Sequence, residues 1–167
     1  MVLTGGPSAG KSSIIEFFTG KDGVYTIEEA AKYVIDREQK KDSDCLPWRN
    51  NLVFQLTVLN LMKRWEKVSN FKGDLVVQDR GILDGIAYLR ANKLDIPEQY
   101  KNLDLKYTKV FILDMLPFKK TKYRKDKHLA KFLDKELEKV YKEHGFEVIR
   151  VPVMSIKDRV KFILGRC

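Results

Sequence analysis

Short runs of β-branched and aromatic residues alternate along the chain with longer stretches in which apolar residues recur every three or four positions. Val2-Leu3 reads as a buried strand, and Ser13-Ile14-Ile15-Glu16-Phe17-Phe18 as a helix behind it. Lys21-Asp22-Gly23 predicts a turn and Val24-Tyr25-Thr26-Ile27 a second strand, with Glu28 and Glu29 at its carboxyl end. Ala30, Ala31, Tyr33, Val34 and Ile35 give a short amphipathic helix that runs out into the polar stretch 36–44. After Pro47 a long helix follows, with Leu52, Leu56, Leu59, Met62 and Trp65 expected on its inner face.

Leu75-Val76-Val77 is a continuous apolar run ending in Gln78-Asp79-Arg80-Gly81, and residues 82–92 read as a helix carrying Ile82, Ile86 and Leu89 inward. Val110-Phe111-Ile112-Leu113 is the next buried strand, closed by Asp114 and Pro117. A helix with Leu129, Phe132, Leu133, Leu137, Val140 and Tyr141 on its core face stops at Gly145. Residues 146–151 form the last strand. Ser155, with Asp158 three positions on, caps a final helix whose Ile156, Val160, Ile163 and Leu164 should point inward.

This order predicts a three-layer α/β/α sandwich around a five-stranded parallel sheet, built as a single domain over residues 1–167. Ligands of such sheets lie beyond the carboxyl ends of the strands. Every chemically interesting residue of the pattern stands at one of those ends: the first loop, Glu28 and Glu29, Asp79 and Arg80, Asp114, and the loop 152–155.

Composition narrows the picture only a little. The net charge of +9 and a pI near 9.4 favour anionic ligands, a description that nucleotide, nucleic acid and anionic lipid all satisfy. No apolar run is long enough to span a bilayer, and the start lacks the pattern of a signal peptide, so the expected location is cytoplasmic. Cys45 and Cys167 suggest free thiols, and His128 and His144 sit among Lys and Glu in solvent-facing or capping positions.

The decisive chemistry is in the first loop. Gly5, four further residues, Gly10, Lys11 and Ser12 match the pattern of a phosphate-binding loop between strand and helix. Gly5, Gly6 and Gly10 let the backbone approach a ligand closely, so that the amides of Gly5, Gly6, Pro7, Ser8, Ala9, Gly10, Lys11, Ser12 and Ser13, proline excepted, can surround a polyphosphate at a helix N-terminus. Lys11 supplies a mobile cation for the β- and γ-phosphates, and the Ser12 hydroxyl is the expected Mg²⁺ ligand. Asp79, closing a buried strand behind that loop, is the second expected Mg²⁺ residue. Residues 118–131 carry Lys119, Lys120, Lys122, Arg124, Lys125, Lys127 and Lys131 against Asp126, a basic segment placed to act as a lid. Asn92-Lys93-Leu94-Asp95 spells a guanine-recognition tetrapeptide, but it follows a helical run where the guanine site needs a buried strand, so ATP is expected over GTP.

Together, residues 3–12, Glu29-Ala30-Ala31, Asp79-Arg80-Gly81 with Asp84 and Tyr88, residues 148–152 and Arg159-Val160 resemble the NadR-type AAA-like P-loop family, related to nucleoside and nucleotide kinases. The resemblance covers nearly the whole chain, although relatives usually carry a longer first strand and a lid that mixes acidic residues with one arginine. It implies that Arg80 holds a phosphate and that Glu29, or Glu28 beside it, serves the acceptor hydroxyl as partner or base. It further implies that Lys122 or Arg124 steadies the transferring phosphoryl, and that the loop with Pro152 and Met154 flanks the purine. One animal relative is a GTP-binding, lipid-associated protein. The readings are therefore an ATP- and Mg²⁺-dependent kinase of a small acceptor, a nucleotide-dependent switch binding a partner or an anionic membrane, and, last, a nucleic-acid-directed ATPase, whose basic run lacks interleaved aromatic residues. Acceptor identity and oligomeric state are left open by the pattern.

Overall fold

A computed structural model describes residues 1–7, 9–69, 75–117 and 127–167. Its five strands, β1 (Val2–Thr4), β2 (Val24–Ile27), β3 (Leu75–Asp79), β4 (Val110–Leu113) and β5 (Val148–Val151), lie parallel in the order β2-β3-β1-β4-β5. Six α-helices accompany them among the described residues: α1 (Lys11–Phe18), α2 (Ala30–Gln39), α3 (Asn51–Ser69), α4 (Ile82–Ala91), α5 (Lys127–Glu143) and α6 (Ile156–Leu164).

Both faces of the sheet are covered, which is why its three middle strands, β3, β1 and β4, carry continuous apolar runs. Leu3, Val77, Phe111, Leu113 and Val151 turn to one face and pack on Ile14 and Phe18 of α1 and Val160 and Ile163 of α6. Val2, Val110 and Ile112 turn to the other, against Leu83 and Ile86 of α4 and Leu133, Leu137, Val140 and Tyr141 of α5. On the far side of α4 a third cluster joins α2 and α3 through Ala30, Val34, Phe54, Val58, Leu59 and Met62. The close contact of α3 with α4 depends on Gly85, where a Cβ would lie 2.4 Å from Leu59 Cδ2.

Several inward positions differ from the sequence expectation. In α3 Leu59 and Met62 are buried as expected, but Phe54, Gln55 and Val58 complete the stripe while Leu56 is half-buried and Leu52 exposed, because α2 and α4 contact a face shifted from the expected one. Trp65 is half-buried and stacks edge-on against Tyr33. In α5, Leu129 and Phe132 are exposed, Ala130 is buried and Leu133 and Leu137 face the sheet, and in α6 Ile156 and Leu164 are exposed. β5 begins at Val148 rather than Phe146. A 3₁₀ turn at Glu98–Tyr100, unforeseen in the sequence, buries Tyr100 completely and lets its hydroxyl donate to Asn60 Oδ1 at 2.7 Å. Of the expected basic lid, residues 118–126 lie outside the described residues, and Lys127–Lys131 form the first turns of α5. No described helix is long and apolar enough to cross a membrane.

Candidate functional site

The loop between β1 and α1 is shaped by the carboxyl end of β4. A Cβ on Gly5, which has φ +141°, would lie 2.6 Å from the carbonyl oxygen of Leu113, so only glycine lets the loop pass there. Lys11 opens α1, and its Nζ folds back to donate to the carbonyls of Gly5 (3.1 Å) and Gly6 (3.4 Å). Burial, and then the neighbouring Arg80 charge, lower its pKa to about 8. Ser12 and Ser13 are exposed at the start of α1, Pro7 is half-buried and Ala9 fully buried, while Ser8 lies outside the described residues. The Gly6 amide donates to Asp134 Oδ1 of α5 at 3.4 Å.

β3 lies beside β1 with Asp79 in register with Leu3, which brings the predicted acid to the edge of this loop. Asp79 is buried, and its Oδ1 has no hydrogen-bond partner. Burial and the nearby Glu29 carboxylate raise its pKa to about 6. A buried, orphaned carboxylate oxygen calls for a cation, and the Ser12 hydroxyl adds a second hard oxygen donor. No group of three or more His, Cys, Asp or Glu suited to a metal occurs among the described residues. Asp79 and Ser12 are the residues that would hold a Mg²⁺ ion here, and the ion would neutralise phosphate charge.

Arg80 occupies the left-handed region at φ +69°, a costly conformation for a residue with a side chain. The turn sends its guanidinium back over the loop. Nε donates to Glu29 Oε1 at 2.9 Å, and Nη1 donates to Asp84 Oδ1 at 3.0 Å and to the Gly5 carbonyl at 3.3 Å. The ring of Tyr88 lies 5.4 Å from the guanidinium carbon. Between the two predicted acids at the end of β2, the fold selects Glu29: it precedes α2 and faces Arg80, whereas Glu28 is exposed.

Asp84, buried to 1% exposure, is the hub behind this arrangement. Besides Arg80 it accepts from the hydroxyls of Thr4 and Tyr141 and from the Gly81 amide. A second carboxylate, the half-buried Glu66 near the end of α3, accepts from the Tyr107 hydroxyl, Gln78 Nε2 (2.9 Å) and the Ile82 amide (2.9 Å). Burial pushes its pKa upward. These two carboxylates hold the start of α4 from both sides, and with it Arg80 and Asp79.

On the α2–α3 side of Arg80 opens a cavity of about 500 Å³. Its wall is apolar and aromatic, with Ile35, Trp48, Phe54, Val58, Met62 and Tyr88, and its polar groups include Gln55, Arg80 and Asp84. That size and lining suit a small organic ligand.

On the opposite side of the loop, Arg159 of α6 donates to the carbonyls of Ala9, Pro152 (2.9 Å) and Asp114 (2.9 Å), bringing the predicted loop with Pro152 and half-buried Met154 beside the phosphate loop. The Asp114 carboxylate turns to Arg150 at 2.9 Å, which also reaches Asp134 at 2.8 Å. Lys122 and Arg124 lie outside the described residues. Sequence reasoning assigned no role to Asp134, Glu66 or Tyr107, while Arg150 and Arg159 only counted toward the resemblance. The one legible signal of Arg159 was a cation beside Val160 on the inward stripe of α6. The Asn92–Asp95 tetrapeptide falls at the far end of α4, about 15 Å along the helix axis from the site, where Asn92 Nδ2 merely bonds the Tyr88 carbonyl. His144 caps the end of α5 through the Val140 carbonyl, and both cysteines are free thiols.

A family model described as an AAA domain matches residues 1–159. No curated sequence matches the chain. Among solved structures, deoxyadenosine kinase from M. mycoides with bound dATP aligns at 16% identity and a TM-score of 0.68, over 99% of this chain and 97% of that one. The same enzyme with the products dCMP and dCDP aligns at 17% identity and 0.68, over 99% and 96%. Thymidylate kinase from Candida albicans aligns at 15% identity and 0.63, over 99% and 88%. At these identities the likeness establishes the fold, that of P-loop nucleoside and nucleotide kinases.

Proposed function

The chain belongs to this AAA-domain family, and from that premise we propose that it is an ATP- and Mg²⁺-dependent phosphotransferase, moving the γ-phosphoryl group to a hydroxyl of a small nucleoside-like or nucleotide-like acceptor. The observation that carries the reading is the convergence of Lys11, the orphaned Asp79 and the Arg80–Glu29 pair between a phosphate loop and a cavity of ligand size. A structural loop has no need for a buried acid with an orphaned oxygen, and a binding module has no need for a second carboxylate, Glu29, held on an arginine of the cavity wall. The structural neighbours, which bind dATP, dCMP or dCDP, point the same way.

In this reading the amides of the loop and Lys11 hold the triphosphate, and Lys11 exchanges its two carbonyl partners for phosphate oxygens. Ser12 and Asp79 hold Mg²⁺, which supplies charge neutralisation on the phosphates. The acceptor lies in the cavity with its hydroxyl toward Glu29, fixed by Arg80. The hydroxyl oxygen bonds to the γ-phosphorus, its proton passes to the Glu29 carboxylate, and the bond to the β–γ bridging oxygen breaks to release ADP. Positioning and charge stabilisation make up most of the catalysis.

The test is a panel of nucleosides and nucleoside monophosphates incubated with Mg-ATP and read by mass spectrometry, with Lys11→Ala and Glu29→Gln as controls. The reading expects a phosphorylated product that both substitutions suppress. ATP hydrolysis with no phosphorylated acceptor across the panel would overturn it in favour of a switch.

A further inference from the structure

We infer that the acceptor cavity is built for a hydroxyl compound without a phosphate, a nucleoside rather than a nucleoside monophosphate. The inference rests on the phosphotransferase reading for the identity of the cavity, and its argument is one of charge.

Among the described residues lining the cavity, the charged ones are Arg80 and Asp84. Arg80 is the cation a phosphomonoester would need, and it is already committed. Its side chain is 7% exposed and makes ion pairs with Glu29 at 2.9 Å and Asp84 at 3.0 Å. Among the described residues lining the cavity, a phosphate dianion would therefore meet one cation, Arg80, held between the carboxylates of Glu29 and Asp84. Releasing Arg80 to such a dianion would leave Asp84 as a buried charge short of a partner, a costly exchange. The remaining described wall is apolar or aromatic apart from the uncharged Gln55, and it offers no charge to a phosphate.

A neutral hydroxyl makes no such demand. It donates to Glu29, which Arg80 already orients, while the aromatic and aliphatic wall covers the rest of the molecule. Gln55 is 6% exposed, and its Nε2 meets Asn51 Oδ1 at 3.3 Å. Its amide offers donor and acceptor to an uncharged polar ring edge, a recognition that adds no ionic charge. The cavity thus combines a hydroxyl acceptor at one end with a neutral polar contact along its side.

The test is equilibrium binding, which is independent of turnover. Adenosine, cytidine and thymidine and their 5′-monophosphates are titrated into the wild-type protein with ADP present, by calorimetry and by Trp48 fluorescence, at low and high salt. At least one nucleoside should bind about tenfold more tightly than its monophosphate, because the phosphate faces two carboxylates that share the single cation Arg80. Added salt should narrow that gap by favouring the monophosphate and leaving the nucleoside unchanged. Glu29→Gln should narrow it as well, and the wild-type salt series decides the matter alone should that variant fail to fold. Monophosphates binding as tightly as the nucleosides overturn the inference, and so does binding of neither class. Phosphorylation of monophosphates alone overturns it while leaving the phosphotransferase reading intact. Selective nucleoside binding without any product has the reverse meaning: the charge argument stands and the transfer reaction falls.

Discussion

Arg159 donates a hydrogen bond to the carbonyl of Ala9 across 150 positions of sequence, fastening the last helix to the phosphate loop. The same guanidinium holds the carbonyls of Pro152 and Asp114, so a single planar fork of donors aligns the ends of β1, β4 and β5. Arg159→Met should cost about 1–3 kcal/mol in urea denaturation, since it leaves the buried Ala9 carbonyl and two part-buried carbonyls without their charged donor. Calorimetry should also show weakened ATP binding. Arg159→Lys should restore only part of either quantity, because an ammonium cannot reach all three acceptors in one plane. Equal behaviour of the lysine variant and wild type would mean that the charge alone suffices.

Lys11 gives a pH signature. Its pKa in the nucleotide-free fold is about 8 against 10.5 ordinarily, chiefly from burial. Between those two values the unfolded chain holds the extra proton, so stability should rise with pH across the window, by up to about 3 kcal/mol from this group. A bound polyphosphate reverses the balance and draws the proton back. ATP binding at pH 8.5 should accordingly take up a fraction of a proton, measured by calorimetry in two buffers of unequal ionisation heat. Binding without proton uptake would show that Lys11 does not meet the phosphates.

Asp79 titrates in the opposite sense. Its pKa of about 6 exceeds the ordinary 3.8, so the fold binds a proton that the unfolded chain has released between those values. Its contribution to stability is complete below pH 4 and lost as the pH rises through 6. Asp79→Asn removes the buried charge and should stabilise the nucleotide-free protein by about 2–3 kcal/mol at pH 7.5, with no gain at pH 4. The same variant should lose Mg²⁺-dependent tightening of ATP binding. Denaturation at the two pH values, paired with nucleotide titrations with and without Mg²⁺, separates the two effects.

The sheet was readable because Leu3, Val77 and Phe111 belong to short apolar runs that end in polar residues, and burial on both faces leaves such runs no alternative role. The phosphate loop was readable because its chemistry requires glycine, lysine and serine at fixed spacing along the chain. What resisted reading was everything set by contacts between distant elements. Leu52 and Phe54 are equally apolar, and only the packing of α2 and α4 decides that the second is buried. Asp84 looks like an ordinary acid in a first helical turn until Thr4 and Tyr141 arrive from β1 and α5. Glu66 and Tyr107 are 41 positions apart, and no local pattern announces that they share a proton-bearing contact.

Gly81 tests whether this hidden network matters for activity. A Cβ built there would lie 2.6 Å from the Tyr141 hydroxyl and 2.7 Å from the Tyr107 hydroxyl, at the point where the Asp84 and Glu66 clusters meet. Backbone strain is not the obstacle, since φ at Gly81 is −96°, a value any residue can adopt. Crowding is, because neither hydroxyl can retreat without loosening its bond to Asp84 or Glu66. Gly81→Ala should therefore destabilise the fold by about 1–3 kcal/mol, the usual range for overpacking a filled site. The Gly81 amide also donates to Asp84, and Asp84 holds Arg80, so the shift should reach the Arg80–Glu29 pair. Tyr141→Phe in the Gly81→Ala background removes one of the two clashing hydroxyls and should recover part of the lost stability, although the same change in wild type costs stability by depriving Asp84 of a donor. A double-mutant cycle read by urea denaturation gives the sign of that coupling, and strictly additive effects would mean that the hydroxyls move aside without consequence.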